Sequence, residues 1–466
     1  MDATSKSILL ALLTLSLLQL TCRRESAGEF ISVKSPLVAL THVRVIDGSG
    51  APAKEDQTIV IESGRIKAIG DAAGISVPTD AKVLDLKDRT AIPGLVGMHE
   101  HLFYTTDEGK RDVLAEQAFS RLYLAAGITT IRTAGAMSLE DDKLTRKRID
   151  GGEWPGPEIH LSSPYINHIG DASPEKVSSK INDWADQGVT SLKVYEKITR
   201  GELATVIRAA HNRGLKVTGH LCAVGFREAV ALGIDNLEHG LLVDTEFYSK
   251  KTPDDCAERN VVLPELLKVD IKGPAVQQLI KELVEKRVAI TSTLAIFETL
   301  TGNQFQLDPR MQQVLTNNAY QACLSQIAHD QKDPRWAVWW QPLLKKEMEF
   351  EREFVRRGGI LLAGVDPTGW GGVVAGFGDQ RQLELLVQAG FSAEDAIRIY
   401  SLNGAEFLGQ AERIGTLEVG KQADIVIIHG NPARIISHIR NVELVFKNGV
   451  GYDAEKLIAS VAGTVG

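Results

Sequence analysis

Cysteine is scarce in this sequence, with four residues in 466, at positions 22, 222, 256 and 323. No two are arranged as C-x-x-C, and the three beyond Cys22 are too scattered to form a disulfide framework. The fold is therefore expected to be held by its apolar core. Clustered positive charge is also missing. The formal net charge is −8 and no Lys/Arg-rich stripe stands out, which argues against a nucleic-acid partner, since phosphate binding needs concentrated cations. Beyond residue 20 no run is long and apolar enough to cross a bilayer. The glycine-rich run from Gly369 to Gly378 lacks the Lys-Ser/Thr ending of a phosphate loop and reads instead as a rim loop. No internal repeat or low-complexity tract is present.

Near the N-terminus Lys6 precedes an apolar stretch from Ile8 to Leu20, followed by Thr21, Cys22 and a polar segment. The stretch is too short for a membrane-spanning helix and has the layout of a secretory signal. Residues 1–27 are expected to direct export, periplasmic or extracellular; Cys22 could carry a lipid anchor after cleavage, although Gln19 and Thr21 are poor residues for such a site.

Residues 28–91 contain short alternating runs, such as LVALTHVRVIDG and TIVIESGRIKAIG, that read as an antiparallel meander. Similar runs, ADIVIIHGNP and VELVFKNGVG, return within residues 410–466, so both ends of the chain are expected to build one small β-sandwich. Residues 92–409 alternate strand-like and helical stretches, the pattern of a (β/α)8 TIM barrel. Eight strands are expected at 94–101, 128–132, 158–162, 191–195, 216–220, 236–239, 288–294 and 360–366. The stretch 244–354 is longer than one βα unit needs and suggests a helical insertion.

A TIM barrel keeps its active site at the C-terminal strand ends. Those ends here carry His99 and His101, Lys193, His220, His239 and Asp366. His99 and His101 are two apart on a strand, so they share a face and can chelate one ion, while Glu100 points the other way. Imidazole suits zinc and similar metals. Four of only eleven histidines fall at these positions, which makes coincidence a poor explanation.

The ordered motifs PGLVGMHEHL, SLKVYEKITRGEL, VTGH, NLEHG, GVDPT and GTLEVGKQADIVIIHGNP resemble the amidohydrolase superfamily, in its binuclear branch with a carboxylated lysine. The likeness extends from about Val38 to Gly449 and is nearest to secreted Xaa-Pro dipeptidase (prolidase)-like and imidazolonepropionase-related members. It implies two divalent metal ions, zinc in the first place. His99, His101 and Asp366 would hold one ion, His220 and His239 the other, and Lys193, as a carbamate formed with carbon dioxide, would bridge them. It further implies attack on a carbonyl by a metal-bridging hydroxide, with Asp366 moving the proton to the leaving amine. Barrels of this kind are often homo-oligomers.

The expected substrate is a small peptide or N-acyl-amino acid. Tyr195 and His168 are candidates to polarise the scissile carbonyl, and Tyr195 also to bind a terminal carboxylate; each is as well explained as an ordinary rim or loop residue. Arg132 could clamp a carboxylate, although an arginine at a strand end more often pairs with an acidic neighbour. Trp336, Trp339 and Trp340 either line an aromatic mouth or lie under helices. Lactone or phosphotriester hydrolysis is the alternative that uses the same groups. Deamination fits less well, because His220 is followed by no acid until Glu228.

Overall fold

The computed structural model describes residues 27–106, 111–302, 306–332, 334–368 and 372–466. The expected secretory signal, with Cys22, lies outside the described residues except for Ala27. So do Gly369–Gly371 of the glycine-rich run and the side chain of Trp336.

Eight parallel strands form the barrel: Leu95–Glu100, Ile128–Thr133, Glu158–Ser162, Val189–Val194, Lys216–Gly219, Asn236–Glu238, Ala289–Ser292 and Leu361–Ala363. Each begins within three residues of its expected position. The first two are buried along their whole length, as strands covered on both faces must be. The first and eighth strands meet where the backbone N–H groups of Val365 and Asp366 donate to the His99 carbonyl, at 3.2 and 3.0 Å. Gly364 allows this approach, because a Cβ there would sit 2.3 Å from the His99 nitrogen. The intervening helices stop and start on local signals. Thr199 and Glu202 make a reciprocal capping box for Arg200–His211, and Gly233, at φ 93°, closes Phe226–Leu232.

Both ends of the chain build one nine-stranded sheet. Ile425–His429 pairs antiparallel with Arg89–Pro93, and Ile31–Val33 with Val450–Asp453. Its own core joins Val38, Leu40, Ile59 and Ile61 from one end of the chain to Ile425, Ile427 and Phe446 from the other. One expectation is corrected here. The first part is not a pure antiparallel meander, since Lys82–Asp85 and Arg89–Pro93 both run parallel to Leu37–Val45. Strand-like runs read from sequence give direction along the chain but not the path of the loops between them.

The stretch 244–354 holds more than one insertion. The seventh barrel strand divides it, with helices Arg259–Leu266 and Pro274–Glu285 before the strand and four helices from Leu294 to Arg356 after it. The cysteine reading is also corrected. Cys222 and Cys256 form a disulfide with Cα atoms 5.0 Å apart, tying the loop after the fifth strand to the segment before Arg259–Leu266. Thirty-four residues separate them in sequence, and only folding of two successive rim segments brings them together.

Helix Leu139–Asp150 buries an acid. Burial, with Glu116 and Asp141 nearby, pushes Asp142 up to about 7. A carboxyl with a raised folded pKa destabilises the native state wherever the unfolded chain ionises it freely, which is above about pH 4. Asp142→Asn should therefore raise the melting temperature by a few degrees at pH 8, with the gain fading as pH falls to 4. Melting curves across that range read the effect directly.

Candidate active site

The C-terminal rim of the barrel surrounds a cavity of about 510 Å³ whose wall includes His99, His101, Lys193, His220, His239 and Asp366. Each comes from the end of a different strand, apart from the first two, which share one. Alternation along the first strand turns His99 and His101 to this cavity and Glu100 to a buried pocket with Asp379 and Tyr123. There burial above all, and then the Asp379 charge, holds the Glu100 carboxyl well above its usual range.

Beneath the histidines lies a residue that the sequence reading did not single out. Glu238 ends the sixth strand and is wholly buried. Its Oε2 is 2.8 Å from His99 Nδ1, and its Oε1 accepts from Arg132 Nη2 at 2.8 Å and lies 3.7 Å from Lys193 Nζ. Burial alone would keep this carboxyl protonated. The Arg132 guanidinium above all, with the Lys193 amine and the His99 ring also facing it, instead holds it well below the usual carboxylate range. Because Glu238 occupies Nδ1, His99 presents Nε2 to the cavity, 3.6 Å from Asp366 Oδ1.

His101 Nε2 is 3.0 Å from the same oxygen, and His239 Nε2 is 4.0 Å from Asp366 Oδ2. Single ligand atoms of His99, His101 and Asp366 all lie within 4.8 Å of one another, so these three can hold a metal ion. The His239 ring sits 4.5 Å from both the His99 and the His220 rings, and Thr293 fixes it through a 2.8 Å contact at Nδ1. His220 extends the line, with Nε2 3.5 Å from Arg259 and 3.6 Å from Glu196. Both His239 and Asp366 have left-handed backbone, at φ 67° and 54°.

Burial holds His101, His220 and His239 below the usual imidazole range, which leaves them neutral and able to ligate. Burial likewise lowers Lys193, although Glu238 pulls the other way. For Asp366 burial works against ionisation, but His99 and His101 outweigh it and keep the carboxylate charged. Among the described residues, two buried nitrogens of the cluster, His101 Nδ1 and Lys193 Nζ, find no hydrogen-bond partner. A set of neutral imidazoles, an ionised carboxylate and an amine of lowered pKa fits divalent metals of the zinc type.

The expected substrate residues divide. Tyr195 does line the cavity, its ring 5.1 Å from His220, and burial pushes its hydroxyl up to about 12, so it remains a donor. His168 lies away from it. Its side chain is 60% exposed and its Nδ1 is 3.0 Å from Glu202 Oε1, at the capping box of Arg200–His211. Tyr165, three residues earlier in the same loop, takes the place on the cavity wall. The carboxylate clamp expected of Arg132 is corrected. Its guanidinium is fully buried and donates to the Met98 carbonyl, Thr218 Oγ1 and Glu238. A strand-end position is not enough for substrate contact; the side chain here turns into the barrel. Trp340 combines both readings of the tryptophan cluster, buried yet on the cavity wall and stacked on Phe297.

Removing one partner of a buried ion pair strands the other charge, at about 3–5 kcal/mol. Arg132→Met should therefore lower the melting temperature markedly and strip activity from carboxylate-bearing and neutral substrates alike. Normal stability with a KM defect confined to carboxylate-bearing substrates would return Arg132 to the role of clamp.

Residues 90–450 match the Amidohydrolase family. Two curated relatives match over short stretches. The dihydroorotase of Syntrophus aciditrophicus (strain SB) is 47% identical over 62 residues, 13% of either protein. The imidazolonepropionase of Syntrophobacter fumaroxidans (strain DSM 10017 / MPOB) is 45% identical over 51 residues, 11% of this chain and 12% of the relative. The chain thus matches only about an eighth of the length of these relatives. Solved structures are similar over far more. A Xaa-Pro dipeptidase with bound methionine in its active site superposes with a TM-score of 0.67 at 20% identity, over 90% of this chain and all of that one. A prolidase complexed with N-methylphosphonate-L-proline gives 0.66 at 18%, over 90% and 99%. Ochratoxinase from A. niger gives 0.64 at 16%, over 90% and 96%. The family match covers most of the chain and the site occupies the barrel rim where that chemistry belongs: this protein is a member of the amidohydrolase family.

Proposed function

We propose that the chain is a binuclear metallohydrolase that cleaves the amide bond of a small peptide or N-acyl-amino acid, in the manner of a dipeptidase. The observation that carries this reading is the convergence of four histidines, Asp366 and an amine of lowered pKa on one cavity at the barrel rim. His99, His101 and Asp366 would hold one divalent ion, most suitably zinc, and His220 and His239 a second. Lys193 would join the two sites as a carbamate. Its neutral amine adds to carbon dioxide with release of a proton, and burial favours that neutral form. Bound there, the ions would bring water toward ionisation at neutral pH and polarise a carbonyl.

The chain's own groups then have separate tasks. Asp366 stays ionised in the resting site and can take a proton at a carboxylate oxygen and return it to the leaving amine. Tyr195 keeps its proton and can donate to the carbonyl oxygen of the substrate. Glu238, itself anchored by Arg132, fixes which nitrogen His99 offers.

Similarity to a Xaa-Pro dipeptidase and a proline-analogue-bound prolidase supports the amide-bond assignment. Deamination fits less well: the first acid after His220 in the chain, Glu228, is held at the start of its own helix, accepting from the Gly225 N–H at 3.1 Å, and the acid beside His220 Nε2, Glu196 at 3.6 Å, follows the fourth strand instead. The site is proposed to work outside the cytoplasm, periplasmic or extracellular. The Cys222–Cys256 disulfide supports that placement, because such bonds persist in oxidising compartments.

Asp366→Asn should reduce turnover of dipeptides by at least 10²-fold while sparing most bound metal. Lys193→Ala should lose metal and turnover together. Dipeptide, lactone and phosphotriester panels, with metal analysis of each variant, check both. Full turnover in Asp366→Asn removes its role, and preference for lactones or phosphotriesters moves the enzyme to another class.

A further inference from the structure

The cavity walls differ in chemistry. Phe297 lies parallel to Trp340 at 6.0 Å and 6.0 Å from the His239 ring, and with Ile296 and Leu300 these form an apolar face. The same cavity also receives Arg259, whose side chain is 48% exposed. Lys193, the other basic side chain on the wall, is 1% exposed and faces Glu238. Among the described residues Arg259 is thus the cation this cavity offers to a ligand. Its contacts leave it unsatisfied: Nη2 is 3.5 Å from His220 Nε2 and 3.9 Å from Glu196 Oε1, both long for a guanidinium with five donors.

Its position is nevertheless fixed. Arg259 opens helix Arg259–Leu266, three residues after Cys256, whose disulfide holds the segment to Cys222, two residues past His220. Lys251 adds a second tie, donating to the carbonyls of Cys222, Ala223 and Asp255 at 3.0, 2.9 and 3.1 Å. A rim segment anchored twice to the loop that carries His220 keeps the backbone of Arg259 beside the reacting centre, within side-chain reach of the cavity. Anchoring the backbone in this way spares part of the ordering cost when an anion binds, leaving only the side chain to settle.

We propose that Arg259 is the specificity residue that reads a free carboxylate on the substrate. On the amide-hydrolase reading, on which this rests, the substrate is then an N-acyl-amino acid or a dipeptide with a free C-terminus. The Phe297–Trp340 face favours an apolar or aromatic side chain beside that carboxylate.

The test compares L-phenylalanine with phenethylamine, which keeps the ring and the ammonium but lacks the carboxylate. Both are titrated calorimetrically into the metal-loaded protein. The wild-type protein should bind L-phenylalanine about 10–100-fold more tightly than phenethylamine, the range of a charge-assisted pair. Arg259→Gln should bring the two affinities within about threefold of each other. Arg259→Lys, which keeps the charge but loses the fork, should retain part of the gap. Equal or absent binding of the two by the wild-type protein overturns the proposal. So does a preference that survives Arg259→Gln, which would assign the carboxylate to bound metal or to Tyr195. Dipeptide turnover on the same samples judges the amide-hydrolase reading separately, because binding is measured without it.

Discussion

Inside the barrel, where no solvent reaches, Arg132 and Glu238 form an ion pair, and the geometry above it depends on that pair. A lone carboxylate at this depth would take up a proton. Paired with the guanidinium it stays ionised, and it then fixes His99 at Nδ1 while holding Lys193 within 3.7 Å. Arg132 is bound in turn to the Met98 carbonyl on the first strand and to Thr218 on the fifth. One buried pair therefore links the first, second, fourth, fifth and sixth strands and sets the direction of two groups at the rim. Desolvating two charges is costly, and a hydrophobic substitute could give an equally stable barrel. What an apolar pair could not supply is the oriented imidazole.

Around this floor the loops divide the remaining work. Thr293, just past the seventh strand, fixes His239, and Glu347 of the last helix before the eighth strand accepts from the Leu242 N–H just beyond it. The left-handed turn at His239 runs into Gly240, where a Cβ would lie 1.9 Å from the Glu347 carboxylate, so this strained corner admits only glycine. The disulfide and Lys251 secure the other side of the rim. Positions near the chemistry are thus held by covalent, ionic and steric constraints that lie outside the cavity itself.

Much of this was legible in the sequence, for a physical reason. Strand ends and side-chain alternation are local properties, so the barrel order, the shared face of His99 and His101 and the opposite orientation of Glu100 follow from residue spacing. Contacts between distant strands are not local. Arg132 reads as a strand-end cation, and nothing nearby announces that its partner is Glu238. Glu238 itself is masked by the histidine that follows it. The Cys222–Cys256 bond and Tyr165, which stands on the wall where His168 was expected, depend on how loops fold over the rim. So does Arg259, which lies in a segment whose length alone was noticeable.

Metal content and dipeptide turnover, measured together on the purified chain, decide whether this rim is a binuclear amide-cleaving site. About two divalent ions per chain are expected, with turnover that disappears on chelation and returns when zinc-type ions are restored. Full turnover in the metal-free protein, or ammonia release from heterocyclic amines by a form carrying a single ion, would contradict it.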